Sequence, residues 1–107
     1  MSIEERRARN EILFREANEK IRRVQKELDL PDGEMPFICE CDVESCTEVI
    51  RVTTAEYEAI RAEPRRFAVA PGHDAGKIVS RTDRYHVAEK DGPEGELVEA
   101  ADPRRSS

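Results

Sequence analysis

Residues 37–46 have the sequence FICECDVESC and contain all three cysteines of the 107-residue chain. Two thiols separated by one residue, with a third after a four-residue gap, form a compact chelating unit that needs one further ligand. Zinc prefers four such ligands arranged in a tetrahedron. We therefore predict a zinc site whose ligands are Cys39, Cys41, Cys46 and His73.

A zinc ion with four protein ligands is structural, because a catalytic ion keeps one position for water or substrate. We favour His73 as the fourth ligand because it follows a Pro-Gly pair in a predicted tight loop. His86 falls in the alternating pattern of a predicted strand, on its solvent side. A carboxylate of Glu40 or Asp42, or a water molecule, is a further alternative. Asp74 is a candidate acceptor for orienting the imidazole.

The same cysteines have two other interpretations. Buried free cysteines behave as small hydrophobic residues and could simply fill one face of a strand. Alternatively, they are reactive thiols that oxidise. We favour zinc because a chain with 39 % charged and 5 % aromatic residues can form only a small core, which a structural metal would stabilise.

Composition also restricts the partners and the compartment. The formal net charge is −6 and the sequence pI is about 5.0, which disfavours nucleic acid and anionic lipid as partners. The sequence has no apolar run long enough to span a membrane and no amino-terminal secretion signal. An odd number of clustered cysteines suits a reducing compartment. We therefore expect a cytoplasmic protein.

Residues 1–30 are predicted to form a long amphipathic helix. Pro and Gly are absent between Ile3 and Leu28, and apolar residues recur there with heptad spacing. This apolar seam consists of Ile3, Phe14, Ala17, Ile21, Val24 and Leu28. At 1.5 Å per residue the helix would be roughly 39 Å long, so part of the apolar seam is expected to extend beyond a small domain. We expect it to bind a protein partner or, as a coiled coil, a second copy; the alternative is that it folds back on its own domain.

Residues 31–90 are predicted to form a small antiparallel sheet with one short helix, so the fold class is α+β. Branched and aromatic residues cluster in the predicted strands, which are residues 37–41, 48–52, 66–70, 77–80 and 85–88. The first two strands form a hairpin that carries the cysteines, and the last two form another. Thr53 and Glu56 have the spacing of a capping box for the short helix. Residues 91–107 are acidic with few large apolar residues, and we predict a disordered tail.

Three segments of the chain resemble a family of small uncharacterised bacterial proteins. They are the pattern Phe-x-Cys-Glu-Cys-x4-Cys, the segment Glu56–Arg61, and the segment Arg66–His73, which ends in Pro-Gly-His. The resemblance extends from Asn10 to about Lys90. The resemblance implies that the cysteines and the Pro-Gly-His element form one site. It does not indicate any enzymatic activity. Some members are fused to signalling modules, which implies a regulatory role.

The sequence contains no phosphate-binding glycine loop, no His-Glu-x-x-His pair and no zinc-deaminase signature. We therefore expect a protein that is not an enzyme, but a zinc-binding adaptor or regulatory module that acts through protein–protein interaction. Two alternatives stay open. One is a redox-responsive switch in which oxidation of the cysteines ejects zinc and unfolds the domain. The other is a metal enzyme with an open coordination site.

Overall fold

The computed structural model describes residues 2–28, 33–43, 45–73 and 76–104. Within this part of the chain, a long N-terminal helix is followed by two small antiparallel sheets and two short helices, which confirms the predicted α+β class. The helices are α1 (Ile3–Glu27), α2 (Thr54–Arg61) and α3 (Gly92–Ala100), and the strands are β1 (Glu34–Ile38), β2 (Val49–Thr53), β3 (Arg66–Val69), β4 (Lys77–Arg81) and β5 (His86–Glu89). None of these helices has the length and apolar composition needed to cross a lipid bilayer.

Both predicted hairpins are present. β1 pairs with β2 in an antiparallel register that places Phe37 opposite Ile50. β5 lies between β3 and β4 and is antiparallel to both. The backbone N–H of Glu40 donates to the carbonyl of Ala68 (2.8 Å), so the chain just beyond β1 is joined to β3. The two sheets therefore meet at the segment that carries the first two cysteines.

The core is built from side chains of β1, β2, α2, β3 and β5. The rings of Phe37 and Tyr57 stack with their centroids 4.4 Å apart and their planes 9° apart. Burying each of these side chains contributes roughly 2 kcal/mol. The predicted capping box is confirmed: the Thr53 hydroxyl accepts from the Glu56 N–H (3.0 Å), and the Glu56 carboxylate accepts from the Thr53 N–H (2.9 Å). The cap fixes where α2 begins and thus which of its residues face the core.

The most buried face of α1 is largely polar and differs from the predicted apolar seam, although Ile21 of the seam packs against the core. It consists of Ala8, Glu11, Arg15, Asn18 and Gln25, all at most 5 % exposed. Ile3, Val24 and Leu28 of the apolar seam are 56, 50 and 64 % exposed. The buried face has a similar heptad spacing but is rotated around the helix by about a third of a turn.

Arg15 explains how a polar face can be buried. Its guanidinium donates to the carbonyl oxygens of Pro64 (2.7 Å) and Arg66, and it lies 3.6 Å from the centre of the Phe67 ring. A carbonyl of the connection between α2 and β3 and one at the start of β3 accept the hydrogen bonds of the buried cation, and the ring adds a cation–π contact. Hydrophobic periodicity does not detect these contacts, because the two carbonyl partners lie 49 and 51 residues away in the chain.

The prediction of a disordered tail is wrong for residues 92–100, which form α3. Pro93 lies in the first turn of this helix, where its fixed φ and missing N–H favour helix initiation. Val98 is buried together with Ala8 of α1 and Phe67 of β3. The segment is mostly polar, yet Val98 packs in an apolar cluster with α1, against which Ile12 also packs.

Residues beyond α3 are held by ion pairs, of which the pair between Arg61 and Asp102 is buried. Arg61 of α2 forms a bidentate pair with Asp102 and donates to Glu19 of α1 (2.6 Å). The side chains of Arg61 and Asp102 are 0 and 4 % exposed. Arg104 contacts Glu19 (3.0 Å) and Glu58. Because losing one partner of a buried pair leaves an uncompensated charge, α1, α2 and the C-terminal segment depend on one another.

A buried acidic group in α1 makes stability depend on pH. Glu11 is 0 % exposed and pairs with Lys90, which also contacts Glu94 (3.3 Å). Burial raises the pKa of Glu11 from 4.5 to about 9, because a carboxylate loses its hydration there; Lys90 opposes this shift and the Glu94 carboxylate adds to it. Between these two pH values the folded state binds a proton that the unfolded chain has lost. The contribution of Glu11 to stability therefore falls as the pH rises through this interval.

Glu11→Gln is expected to remove this part of the pH dependence, because an amide mimics the neutral carboxyl group. Relative to the wild type, the variant should gain about 1 to 3 kcal/mol of unfolding free energy when the pH rises from about 5.5 to about 8. Urea unfolding of both proteins at the two pH values, with equal metal content, measures the gain. Glu4→Gln, at an exposed position of the same helix, is the control. A difference between E11Q and wild type that is constant with pH would contradict the raised pKa.

Candidate metal centre

The end of β1 positions Cys39 and Cys41, which were predicted within the strand and lie just after it. The N–H of Cys39 donates to the carbonyl of Glu48 (3.0 Å), so the pairing with β2 continues by one step. Extended backbone alternates its side chains between two faces. The thiols of Cys39 and Cys41 therefore point to one face, and the carboxylate of Glu40 points to the other.

Cys46 and His73 reach the same place through turns. The N–H of Cys46 donates to the carbonyl of Val43 (3.0 Å), which turns the loop back toward β1. After β3, the N–H of His73 donates to the carbonyl of Ala70 (2.9 Å). Gly72 has a φ of +90°, a backbone conformation that residues other than glycine rarely adopt. The Pro-Gly turn therefore directs the imidazole toward the cysteines.

The structure brings together the side chains of Cys39, Cys41, Cys46 and His73. Their ligand atoms, three Sγ and one imidazole nitrogen, all lie within 4.8 Å of one another. Nδ1 of His73 is 3.7 Å from Sγ of Cys39 and 3.5 Å from Sγ of Cys46. In a tetrahedral zinc site with ordinary Zn–S and Zn–N bonds, sulfur and nitrogen ligands are about 3.6 Å apart. The arrangement therefore fits the coordination of one metal ion.

The centre has a buried side and an open side. Cys39 is 0 % exposed, and its Sγ accepts a hydrogen bond from the N–H of Ala70 (3.1 Å). Cys46 and His73 are half-buried and border a cavity of about 470 Å³, which Cys41 also borders. An ion or a small molecule can therefore reach the ligands from solvent without opening the core.

Burial raises the pKa of the Cys39 and Cys41 thiols, because a thiolate loses its hydration there. A divalent cation has the opposite effect, since its charge stabilises the thiolates and displaces their protons. Metal binding at this centre is therefore expected to release protons and to weaken as the pH falls.

The alternative fourth ligands lie elsewhere. His86 is on β5 and does not belong to the cluster. The carboxylate of Glu40 points away from the thiols, and Asp42 forms an ion pair with Arg7 of α1 (3.4 Å). Asp74 lies outside the described residues, so its contact with the imidazole stays a prediction.

Glu40 is an anchor that the sequence analysis did not identify. Its side chain is 0 % exposed, and its Oε2 accepts from Nδ2 of Asn18 (2.9 Å) and from the Tyr57 hydroxyl (3.0 Å). Its Oε1 accepts from the N–H of Ala68 (3.0 Å). These three donors replace the water that a carboxylate loses on burial. The alternation within Cys-Glu-Cys gives the direction of this side chain, but no pattern in the sequence indicates its partners.

Asn18 fixes β1 from the side of α1. Its Nδ2 donates to the carbonyl of Ile38 (2.8 Å), and its Oδ1 accepts from the N–H of the same residue (2.8 Å). The side-chain amide therefore takes the place of a neighbouring strand immediately before Cys39. Asn10 donates to the carbonyl of Asp42 (3.3 Å), just beyond Cys41. Helix α1 thus holds the cysteine pair from both ends.

Comparisons with protein-family models, with curated proteins and with solved structures found no match to this chain. The resemblance to a family of small bacterial proteins therefore stays a prediction. The geometry of the Cys-His cluster is the basis for inferring a function.

Proposed function

We propose that the protein is a zinc-binding module without catalytic activity that acts through protein–protein interaction. The observation that carries this proposal is the cluster of three thiols and one imidazole within 4.8 Å. Three sulfurs with one nitrogen are a common ligand set of structural zinc sites. Magnesium and calcium prefer oxygen ligands, and among the described residues no carboxylate belongs to the cluster.

A complete shell of four protein ligands supports a structural role for the ion. The ligands come from the end of β1, from the loop before β2 and from the turn after β3. One ion would therefore cross-link the segment that carries the cysteines to the turn at His73, which lies 27 residues beyond Cys46. Four protein ligands would leave no position on the ion for water or substrate, which argues against catalysis by the metal.

Metal analysis of protein purified without added zinc tests the centre, and about one zinc ion per chain is expected. His73→Ala removes the proposed nitrogen ligand and should weaken zinc affinity by more than about 100-fold, since even indirect supports of a metal ligand contribute up to that much. Competition with a chromogenic chelator measures the affinity.

The control for His73→Ala is His86→Ala, which removes the histidine outside the cluster and should leave zinc affinity unchanged. If His73→Ala binds zinc as tightly as the wild type, the imidazole is not a ligand. The alternative of a metal enzyme with an open coordination site would then be favoured.

The exposed end of α1 supports an interaction role. Val24 and Leu28 lie one helical turn apart and are 50 and 64 % exposed. Residues 1–30 contain eight basic and seven acidic residues, so two copies of this helix can approach without net repulsion. A second copy of the chain is therefore the partner that we propose.

Sedimentation of a Val24→Glu, Leu28→Glu double variant tests this contact. Deletion of α1 is unsuitable, because it would remove the buried Arg15 and Asn18. The wild type is expected to self-associate and the double variant to be monomeric. Lys26→Glu changes the charge by the same amount without removing an apolar side chain, so it should associate like the wild type. A monomeric wild type at high concentration would exclude the second copy as partner.

A further inference from the structure

We propose that peroxide converts this centre into a disulfide between Cys41 and Cys46, which releases the metal and leaves the fold intact. This modification presupposes the proposed zinc centre. It concerns one pair of cysteines and spares Cys39. It also differs from the switch considered in the sequence analysis, because the domain stays folded after oxidation.

Cys46 is the cysteine that an oxidant reaches first. Its side chain is half-buried and borders the cavity of about 470 Å³. Cys39 and Cys41 are only 0 and 1 % exposed. Hydrogen peroxide is much smaller than this cavity, so it can approach Sγ of Cys46 from the open side of the centre. Exposure of this kind directs thiol oxidation to one site.

Cys41 is the cysteine that we expect to form the disulfide with Cys46. Its Sγ lies within 4.8 Å of Sγ of Cys46, and the N–H of Cys46 donates to the carbonyl of Val43, two residues beyond Cys41 (3.0 Å). A disulfide between Cys39 and Cys41 is disfavoured, because alternate residues of extended backbone have Cα atoms about 6.6 Å apart, near the upper limit for a disulfide. Cys39 is also held on the buried side by the N–H of Ala70 (3.1 Å).

The reaction is a two-electron oxidation of two thiolates by peroxide. The Cys46 thiolate attacks a peroxide oxygen, so an S–O bond forms, the O–O bond breaks and hydroxide leaves. The Cys41 thiolate attacks the resulting sulfenic sulfur, so the S–S bond forms, the S–O bond breaks and a second hydroxide leaves. Two protons from solvent convert both hydroxides to water. Cys39 and His73 are left, and two ligands are too few to retain zinc.

The Glu40 anchor explains why the fold is expected to survive. Its carboxylate contacts Asn18, Tyr57 and Ala68 on the face opposite the thiols. Closing the loop of residues 41–46 breaks none of these contacts. The new disulfide also cross-links the loop in place of the metal, which limits the conformational freedom of the chain.

The experiment uses zinc-loaded, full-length protein treated with hydrogen peroxide. Zinc release to a chromogenic chelator, a mass loss of two hydrogens and retention of the helical circular dichroism signal are expected. After alkylation of free thiols, trypsin leaves all three cysteines in the peptide of residues 27–51, because no Lys or Arg lies between Lys26 and Arg51. Fragmentation of this peptide should show an alkylated Cys39 and an intact linkage between Cys41 and Cys46.

Cys46→Ser should abolish the disulfide, whereas Ser45→Ala, next to it in the same loop, should leave disulfide formation unchanged. A disulfide that includes Cys39, oxidation to sulfinic acid without a disulfide, retained zinc, or loss of the helical signal would each overturn the proposed modification. Protein that holds no zinc before peroxide is added would contradict the zinc centre itself, and the modification with it.

Discussion

Cys39→Ser is expected to abolish stoichiometric zinc binding, with the affinity weakened by more than about 100-fold. The Sγ of this residue lies 3.7 Å from Nδ1 of His73 and is 0 % exposed, so no other group can take its place without opening the core. A serine hydroxyl is a weaker ligand for zinc than a thiolate and is not deprotonated by the ion as readily. Metal analysis after gel filtration, together with chelator competition, measures the loss.

Ser45→Ala is the control for Cys39→Ser. Ser45 is exposed in the loop between Cys41 and Cys46, and its hydroxyl group is not part of the cluster. This variant should keep about one zinc ion per chain. Wild-type affinity in Cys39→Ser would show that the buried thiol is not a ligand and that the centre of three cysteines and one histidine is wrong.

Glu40→Ala is expected to lower the unfolding free energy by about 4 kcal/mol. The substitution leaves the Tyr57 hydroxyl and the Ala68 N–H buried without their acceptor, and each such group costs about 1 to 3 kcal/mol. It also leaves a cavity where a fully buried side chain was. Since small domains are stable by about 5 to 15 kcal/mol, the loss is a large part of the total. Urea unfolding with zinc present and with zinc removed measures it.

Glu48→Ala is the matched control, because Glu48 is an exposed acidic residue of the same hairpin. It should change the unfolding free energy by no more than about 0.5 kcal/mol. Glu40→Gln keeps one acceptor oxygen, so its unfolding free energy should lie between those of Glu40→Ala and Glu48→Ala. This variant provides a measurement if Glu40→Ala does not fold. Equal stabilities of Glu40→Ala and Glu48→Ala would show that the anchor contributes nothing.

The cluster was predictable because its parts are local in sequence. The spacing of Cys39, Cys41 and Cys46 reflects an extended segment followed by a short returning loop, and the Pro-Gly pair before His73 specifies a turn. The hairpins and the start of α2 were predictable for the same reason, since strand alternation and the capping box are properties of neighbouring residues. Whether the cluster holds zinc stays a prediction.

The packing of α1 and α3 was not predictable from periodicity. Glu11, Arg15 and Asn18 are buried because groups distant in the sequence form hydrogen bonds or ion pairs with them. The spacing of apolar residues does not indicate those groups. The apolar seam indicated a face rotated from the most buried one, although Ile21 of the seam packs against the core. The same contacts link α1, α2 and the C-terminal segment, so a metal ion at the centre would not be the sole cross-link between segments of the protein.

The side-chain amide of Asn18 pairs with the edge of β1, and this contact limits how the module can be grafted into another protein. A graft of the hairpin alone would expose both backbone groups of Ile38 on an open strand edge, where the strand of another polypeptide can add and start aggregation. Chimeric proteins that borrow the centre therefore need to carry its N-terminal helix along. A designed host could instead supply its own asparagine at the corresponding place.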